Sequence, residues 1–343
     1  MKALVLEEFG TITVADVADP VASPGQVVID VVATGICGSD IHGFTGENGR
    51  RSLGQIMGHE SVGRIRELGG DVEPDAFGVG SVVTFNPLVV AAADRDRYRG
   101  REQHSPGRVV IGVEPTIPAA FAERVLVPAE NVVALPSAIP VEWGALVEPL
   151  AVALNVVRRA GVQAGESVLV LGGGPIGQSC VLAAHHAGAA VVYVSEPDPG
   201  RRALCEDLGG IALDPADGPV EEQVAVRHGR LVDVALDAVG ISATLAGALR
   251  ATELGGRVGL VGMGAPQVEV DAYRVSTEER TIIGSFCYSF EVFRAAAEWV
   301  AGGDQVFASL VSEQVDLVEA PAAFTRLAAG ASVPGKVLVR FDR

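Results

Sequence analysis

Short hydrophobic runs, either alternating with polar positions or rich in β-branched residues, dominate the chain up to about residue 135. Glycine, proline and aspartate separate these runs. Runs of this length and composition are typical of strands rather than helices. They predict strands over residues 27–32, 62–68, 79–85 and 121–127. Many short strands joined by turn residues favour a β-barrel-like first domain.

The pattern changes near residue 143, where helical periodicity begins and extends to residue 159. From residue 167, buried strand-like runs alternate with helical segments. The predicted strands cover 168–171, 191–195, 232–237, 257–261 and 281–283, and the predicted helices 176–187 and 201–208. This alternation indicates a doubly wound parallel sheet. A helix over 290–301 and a strand over 336–341 then return to the first domain. The sequence thus predicts an α/β protein with residues 1–150 and 286–343 in one domain and 151–285 in the other.

Composition and charge narrow the classes of protein that fit this pattern. The 343 residues are 48% hydrophobic and 20% charged, which is typical of a globular chain of two domains. A net charge of -17 argues against nucleic-acid binding. No apolar run is long enough for a membrane span, so we expect a cytoplasmic protein. The four cysteines lie far apart and predict no disulfide framework; Cys180 and Cys205 fall on predicted helices as core residues.

A glycine-rich turn follows the predicted strand 168–171 and opens a predicted helix. It is Gly172-Gly173-Gly174-Pro175-Ile176-Gly177, which fits G-x-G-x-x-G. In this setting the glycines let the backbone approach a pyrophosphate at a helix N-terminus. The predicted cofactor contacts from the turn are Gly172, Gly174, Pro175, Ile176 and Gly177, and further predicted contacts are Glu196, Arg201, Val261 and Met263.

The choice between NAD and NADP depends on the end of the following strand. Glu196 stands 19 residues after Gly177, where a carboxylate accepts hydrogen bonds from the ribose hydroxyls and repels a 2′-phosphate. Arg201 and Arg202 oppose this preference, because arginine near this position can hold a 2′-phosphate. We expect NAD to be the cofactor.

Three polar clusters precede this turn. They are Cys37-Gly38-Ser39-Asp40-Ile41-His42, Gly58-His59-Glu60 and Glu148-Pro149-Leu150-Ala151. Together with the glycine turn, and in this order along the whole chain, they resemble the zinc-dependent medium-chain alcohol dehydrogenases. The sorbitol (polyol) and threonine dehydrogenase branches are the most similar.

The resemblance implies a GroES-like β-barrel catalytic domain joined to a Rossmann domain, in a homotetramer or homodimer. It also implies a catalytic zinc held by Cys37 and His59, with Glu60, Glu148 or water completing the tetrahedron. Zinc prefers sulfur and nitrogen donors and keeps one position open for a substrate oxygen. The reaction implied is hydride transfer between a secondary alcohol (a polyol, cyclitol or alicyclic alcohol) or its ketone and NAD.

Three further residues take roles from the same resemblance. Ser39 would accept the hydroxyl proton, and His42 would carry it towards solvent. Asp40 would orient a zinc ligand without touching the metal.

Two departures from the family pattern bear on this interpretation. Residues 86–111 contain no cysteine, whereas many relatives bind a structural zinc through four closely spaced cysteines in the corresponding lobe. We therefore expect one zinc per subunit and a lobe shaped by side-chain packing. Cys287 also stands where polyol dehydrogenases often place an arginine that reaches the substrate hydroxyls, which weakens the case for a polyol substrate.

Two alternatives stay open at this point. A zinc-free enone or quinone reductase of the same fold would use NADPH, against which the polar clusters and Glu196 argue. A non-enzymatic protein keeping the fold would tolerate loss of Cys37 or His59, yet every reacting group is present.

Overall fold

The computed structural model describes residues 1–47, 49–72 and 77–341, and the chain divides into two compact units. The first unit comprises Met1–Glu148 and Tyr288–Arg343, and the second comprises Pro149–Cys287. No helix in these ranges has the length and apolar character needed to cross a membrane.

The first unit begins with short strands and one helix. Its strands are β1 (Lys2–Glu8), β2 (Thr11–Asp16), β3 (Gln26–Gly35), β4 (Glu60–Leu68), β5 (Val82–Phe85), β6 (Leu88–Val89), β7 (Val109–Val110), β8 (Arg124–Pro128) and β9 (Val132–Ala134), and its first helix is α1 (Gly38–Thr45). Short 3-10 helices cover Ala92–Asp94, Glu102–His104, Ala129–Asn131 and Val141–Leu146. The predicted strand 79–85 starts later, because the turn at Gly80 (φ 88°) precedes it.

The second unit is built from alternating strands and helices. Its helices are α2 (Val147–Ala160), whose first turn begins at the end of the first unit, α3 (Pro175–His186), α4 (Pro199–Asp207), α5 (Val220–His228), α6 (Ser242–Ala251) and α7 (Ala272–Thr277). Its strands are β10 (Ser167–Leu171), β11 (Val191–Ser195), β12 (Ile211–Leu213), β13 (Val232–Asp237), β14 (Thr252–Leu260) and β15 (Thr281–Gly284); a 3-10 helix covers Pro215–Asp217.

These six strands form a parallel sheet in the order β12-β11-β10-β13-β14-β15. The buried faces of β10 and β13 carry Leu169, Leu171 and Ala235, which pack with Leu245 and Leu249 of α6. The strand order also shows which strands lie at the edges of this sheet. The predicted run 257–261 falls almost entirely in β14, which β13 and β15 flank, so within the described residues the edge strands are β12 and β15, and a pairing of 257–261 across a two-fold axis is not possible in this sheet.

The chain then returns to the first unit, where it adds three helices and two strands. These are α8 (Phe290–Ala301), α9 (Val306–Ser309), α10 (Ala320–Ala328), β16 (Val311–Asp316) and β17 (Lys336–Arg340). A mostly antiparallel sheet runs β16-β17-β3-β4-β5-β9, with β8 also paired to β3. This mostly antiparallel sheet and the parallel sheet of the second unit agree with the predicted α/β fold class.

Candidate metal centre and dinucleotide site

Three buried or half-buried donor groups converge in the first unit. Cys37 is the N-cap residue of α1, and His59 and Glu60 lie where β4 begins. One ligand atom from each of the three lies within 4.8 Å of the others. His59 and Glu60 are 5% and 0% exposed, so solvent does not satisfy their polar atoms.

The Asp40 side chain contacts both Cys37 and His59. Its Oδ2 accepts a hydrogen bond from the Cys37 backbone N–H at 3.1 Å, and its Oδ1 lies 3.6 Å from His59 Nδ1. The carboxylate is fully buried, and burial raises the pKa of Asp40. Burial alone would lower the pKa of His59, but Asp40, followed by Cys37 and Glu148, raises it to about 10. The imidazole is therefore held in an acidic cluster.

A buried lysine, to which the sequence analysis assigned no role, neutralises Glu60. Lys336 Nζ lies 2.7 Å from Glu60 Oε1 and 2.6 Å from Oε2. Burial lowers the pKa of Lys336, but Glu60 and, more weakly, Cys37 raise it above its usual value. Lys336 and Glu60 are 276 residues apart in the chain, so only the folded sheet pairs them.

Glu148 is buried close to this cluster, although its carboxylate is not one of the three mutually close donors. Its Oε1 accepts a hydrogen bond from the Tyr288 hydroxyl at 2.8 Å. Burial raises the pKa of Glu148 to about 7, against the opposing effect of His59. The sequence left open whether Glu60 or Glu148 binds the metal, and in the structure Glu60 is the carboxylate that completes the set of mutually close donors.

The donor set fits a zinc ion. Thiolate, imidazole and carboxylate are the ligands that zinc takes in proteins, and atoms bound to one tetrahedral zinc lie roughly 3.5 Å apart. His59 Nδ1 and Asp40 Oδ1 have no hydrogen-bond partner within the described ranges. The Asp40 carboxylate faces Nδ1, which leaves Nε2 as the nitrogen available to a metal. A cation among these groups would compensate buried charge that the protein leaves unbalanced.

The other predicted catalytic residues lie on α1. Ser39 is half-buried in the first turn of this helix, two residues after Cys37. The His42 side chain is 50% exposed, and its Nδ1 lies 3.0 Å from Glu47 Oε2. Cys287 is half-buried and adopts a left-handed conformation with φ 47°.

The glycine turn lies at the carboxyl edge of the parallel sheet. Leu171, the last residue of β10, pairs in register with the last residues of β11 and β13, so the segments beyond these strands meet at one edge. Pro175 is the first residue of α3, as is common at helix starts. A Cβ at Gly177 would lie 1.7 Å from the Gly172 carbonyl oxygen, so only glycine lets α3 pack this closely on the strand.

Glu196 forms part of this turn rather than a free surface carboxylate. It is 4% exposed, and its oxygens accept hydrogen bonds from Gly173 N–H at 2.6 Å and Asp198 N–H at 2.9 Å. The Arg201 guanidinium lies near Gly174, 3.9 Å from the position of a Cβ there. Arg202 instead forms an ion pair with Asp214 at 2.7 Å.

The remaining predicted contacts, Val261 and Met263, follow β14 at the same edge. Val261 is half-buried and donates to the Asp237 carbonyl oxygen at 3.0 Å, whereas Met263 is 56% exposed. The Asp237 carboxylate, which the sequence analysis missed, accepts hydrogen bonds from Val239 N–H and Gly240 N–H at 3.0 and 2.9 Å. These bonds fix the loop after β13 beside the glycine turn.

Polar interactions as well as packing shape the cysteine-free lobe at 86–111. The Glu102 carboxylate accepts hydrogen bonds from Gly100 N–H at 2.8 Å and Phe290 N–H at 3.2 Å. Ser105 donates to Asp94 at 2.8 Å. The expectation that side-chain packing shapes the lobe was therefore incomplete.

Comparison with known proteins identifies the class to which this fold and site belong. The model of the alcohol dehydrogenase GroES-like domain matches residues 23–137, and that of the zinc-binding dehydrogenases matches residues 175–302. The protein is therefore an oxidoreductase of the alcohol dehydrogenase type. The chain belongs to the zinc-binding medium-chain dehydrogenase family, which confirms the predicted resemblance.

Individual relatives agree with this assignment. The chain is 36% identical over 257 residues to the L-threonine 3-dehydrogenase of Pyrococcus abyssi, which covers 74% of this chain and 72% of that protein. It is 30% identical over 337 residues to the sorbitol dehydrogenase of Bacillus subtilis, covering 95% and 93%. The crystal structure of a protein described as a zinc-binding dehydrogenase from Sinorhizobium meliloti 1021, bound to NADP, superposes with a TM-score of 0.90 at 32% identity, covering 99% of this chain and 98% of that one.

Proposed function

We propose that this protein interconverts a secondary alcohol and its ketone, with NAD as the hydride carrier and one catalytic zinc per subunit. The observation that carries this proposal is the convergence of the Cys37, His59 and Glu60 donor atoms within 4.8 Å, supported from behind by Asp40. When bound, zinc would act as a Lewis acid on the substrate oxygen.

The roles of the protein groups follow from their positions. Cys37 and His59 would bind the metal, and Glu60 would complete the protein ligands, with Glu148 as the alternative carboxylate. Ser39, two residues after Cys37, would accept the proton that the alcohol loses. His42 would pass it to water, since its ring is half exposed at the end of α1.

The substrate class rests on the names of the relatives and on Cys287. Sorbitol and L-threonine both carry a secondary alcohol next to a carbon that bears a heteroatom. Cys287 places a small, weakly polar side chain at the position where the family pattern often has an arginine. We infer a substrate that needs fewer hydrogen bonds from a cationic side chain, such as a cyclitol, an alicyclic alcohol or a short diol.

The preference for NAD rests on the charge of Glu196. A 2′-phosphate beside the adenosine ribose would meet a buried carboxylate already bonded to the glycine turn. Arg202 is engaged by Asp214, which reduces its availability to a phosphate. The similar structure bound to NADP makes this preference worth direct measurement.

We also propose a homo-oligomer, a tetramer or dimer, that functions in the cytoplasm. The edge strand β15 has one unpaired side within the described chain, where a second copy could extend the sheet. All four cysteines are free thiols, as expected in a reducing compartment. A monomer in analytical ultracentrifugation at micromolar concentration would rule out the oligomer.

Metal analysis combined with a substrate screen tests the proposed activity. We expect one zinc per subunit and formation of NADH with at least one alcohol from a panel of polyols, amino alcohols, cyclitols and alicyclic alcohols. Cys37→Ser should lose both zinc and activity, whereas the matched control Cys180→Ser, in a helix of the other unit, should keep both. A metal-free protein that reduces enones or quinones with NADPH would establish the zinc-free alternative instead.

A further inference from the structure

A buried arginine lies directly behind the candidate metal ligands. The side chain of Arg51 is 1% exposed, and its Nη2 lies 3.7 Å from Asp40 Oδ1. The same carboxylate oxygen lies 3.6 Å from His59 Nδ1, and the other oxygen accepts the Cys37 N–H. A continuous series of contacts thus runs from Arg51 to Asp40, and from Asp40 to both Cys37 and His59.

We propose that Arg51 is a positioning residue of the metal centre, which holds Asp40 in place and through it both His59 and Cys37. The proposal rests on the metal site of the proposed function. It assigns the arginine no contact with the metal or with substrate.

Burial of this arginine costs free energy unless a counter-charge pairs with it. Charged side chains are almost never fully buried without a partner, and moving one out of water costs several kcal/mol. Asp40 is the acidic group paired with Arg51 among the described residues, and it is itself fully buried. Each ion thus supplies the counter-charge for the other, and losing one leaves the other unbalanced.

The local sequence makes room for the arginine. The stem of Arg51 crosses α1 at Gly43, where a Cβ would lie 2.5 Å from Arg51 Cγ. Any larger residue at position 43 would displace the stem and, with it, the guanidinium near Asp40. Arg51 Nε and Nη2 have no hydrogen-bond partner in the described ranges, so the ion pair with Asp40 is the main polar interaction that locates the group.

Zinc affinity and the ligand field of the bound metal test the proposal. Arg51→Met keeps the apolar stem and removes the charge, whereas Arg51→Lys keeps the charge. The zinc-free proteins would be titrated with Zn²⁺ against a chromophoric chelator, and the visible spectrum of the Co²⁺-substituted proteins would be recorded. We expect Arg51→Met to weaken zinc binding about 10- to 100-fold, the range found for groups behind metal ligands, and to change the Co²⁺ spectrum. Arg51→Lys should recover most of the affinity.

Arg280→Met is the matched control, because Arg280 is also buried but bonds to Thr252 in the other unit. It should lower thermal stability and leave the zinc affinity and the Co²⁺ spectrum unchanged. An Arg51→Met protein that loses stability like this control, with zinc affinity and spectrum intact, would overturn the proposal. If Arg51→Met does not fold, the comparison is made with Arg51→Gln. An unmodified protein that fails to bind zinc would instead refute the proposed function itself.

Discussion

Replacing Lys336 by methionine removes the cation from the buried ion pair with Glu60 while keeping most of the apolar stem. Lys336 is 3% exposed and Glu60 is 0% exposed, and the ammonium group contacts both carboxylate oxygens. In the zinc-free protein the substitution leaves a buried carboxylate without its counter-charge. We expect this to be among the most destabilising single substitutions in the first unit.

The magnitude follows from the geometry of the pair. Two unit charges about 4 Å apart attract by roughly 4 kcal/mol at an effective dielectric constant near 20, and the contacts of 2.6 and 2.7 Å in this pair give an attraction of at least that size. Removing one partner of a buried ion pair costs about 3–5 kcal/mol. A lower free energy of unfolding by about 3–5 kcal/mol is therefore expected without zinc. The loss should be smaller with zinc, because a bound cation would also neutralise Glu60.

Tryptophan fluorescence during urea denaturation measures the free energy of unfolding of the first unit, which contains Lys336 and Glu60. Both tryptophans, Trp143 and Trp299, lie in the first unit, so their emission follows the unfolding of the part that contains the pair. The matched control is Lys2→Met, since the other lysine of the chain pairs with Asp16 at the surface. This control should leave the unfolding midpoint almost unchanged.

A double variant distinguishes loss of the charge pair from loss of packing. Lys336→Met combined with Glu60→Leu removes both charges, and apolar replacement of a buried ion pair is often neutral or stabilising. We expect the double variant to regain most of the stability in the absence of zinc. The reasoning would be refuted if Lys336→Met were no more destabilising than Lys2→Met, or if the double variant lost more than the single one.

Three further predictions concern the proton path, the cofactor and the thiols. Ser39→Ala should slow alcohol oxidation by about two to four orders of magnitude, the range for a positioned proton-transfer group; full turnover at pH 7 with zinc retained would exclude the role. Glu196→Gln keeps an acceptor for Gly173 N–H but removes the charge, so the ratio of kcat/KM for NAD over NADP should fall about tenfold, as loss of roughly 1.4 kcal/mol implies. An unmodified protein that prefers NADP would contradict this reasoning. Burial raises the pKa of Cys180 and Cys205 to about 12, so at pH 8 only about one thiol in ten thousand is ionised. Iodoacetamide should label neither in the folded protein, and mass spectrometry that finds rapid labelling would refute their burial.

Several of the elements that the sequence predicted have a strong local signal. β11 and β13 combine β-branched residues with short length, and α8 has a clear apolar face over Phe290–Ala301. The helices α5 and α6 were missed because their local patterns are weak. In α5, Val220 and Val224 are buried while Val226 is 85% exposed. In α6, alanine and glycine supply much of the buried face, so the contrast between faces is small.

In the candidate site, too, residues with a local sequence signal were predicted and residues without one were missed. Cys37, His59 and Glu60 were predicted because each lies in a short motif, and the glycine turn was predicted from its own spacing. The contacts that hold those groups join distant parts of the chain: Tyr288 bonds to Glu148 from 140 residues away. No periodicity or motif links such partners. Only the register of the sheets and the ends of the helices bring them together.

The balance of buried charge explains why this cluster suits a divalent cation rather than a water-filled pocket. In a metal-bound state the groups of the cluster, all buried except the half-buried Cys37, would include four anions and two protein cations: a Cys37 thiolate, Asp40, Glu60 and Glu148 against Lys336 and Arg51. The excess of two negative charges equals the charge of one divalent metal ion. Without the metal, protons must replace it, in keeping with the pKa of Glu148 raised to about 7 by burial and that of His59 raised to about 10, despite its burial, by Asp40. With the two buried cations present, the remaining negative charge matches one divalent ion, and this match depends on Lys336 and Arg51, which the ligand motifs do not include.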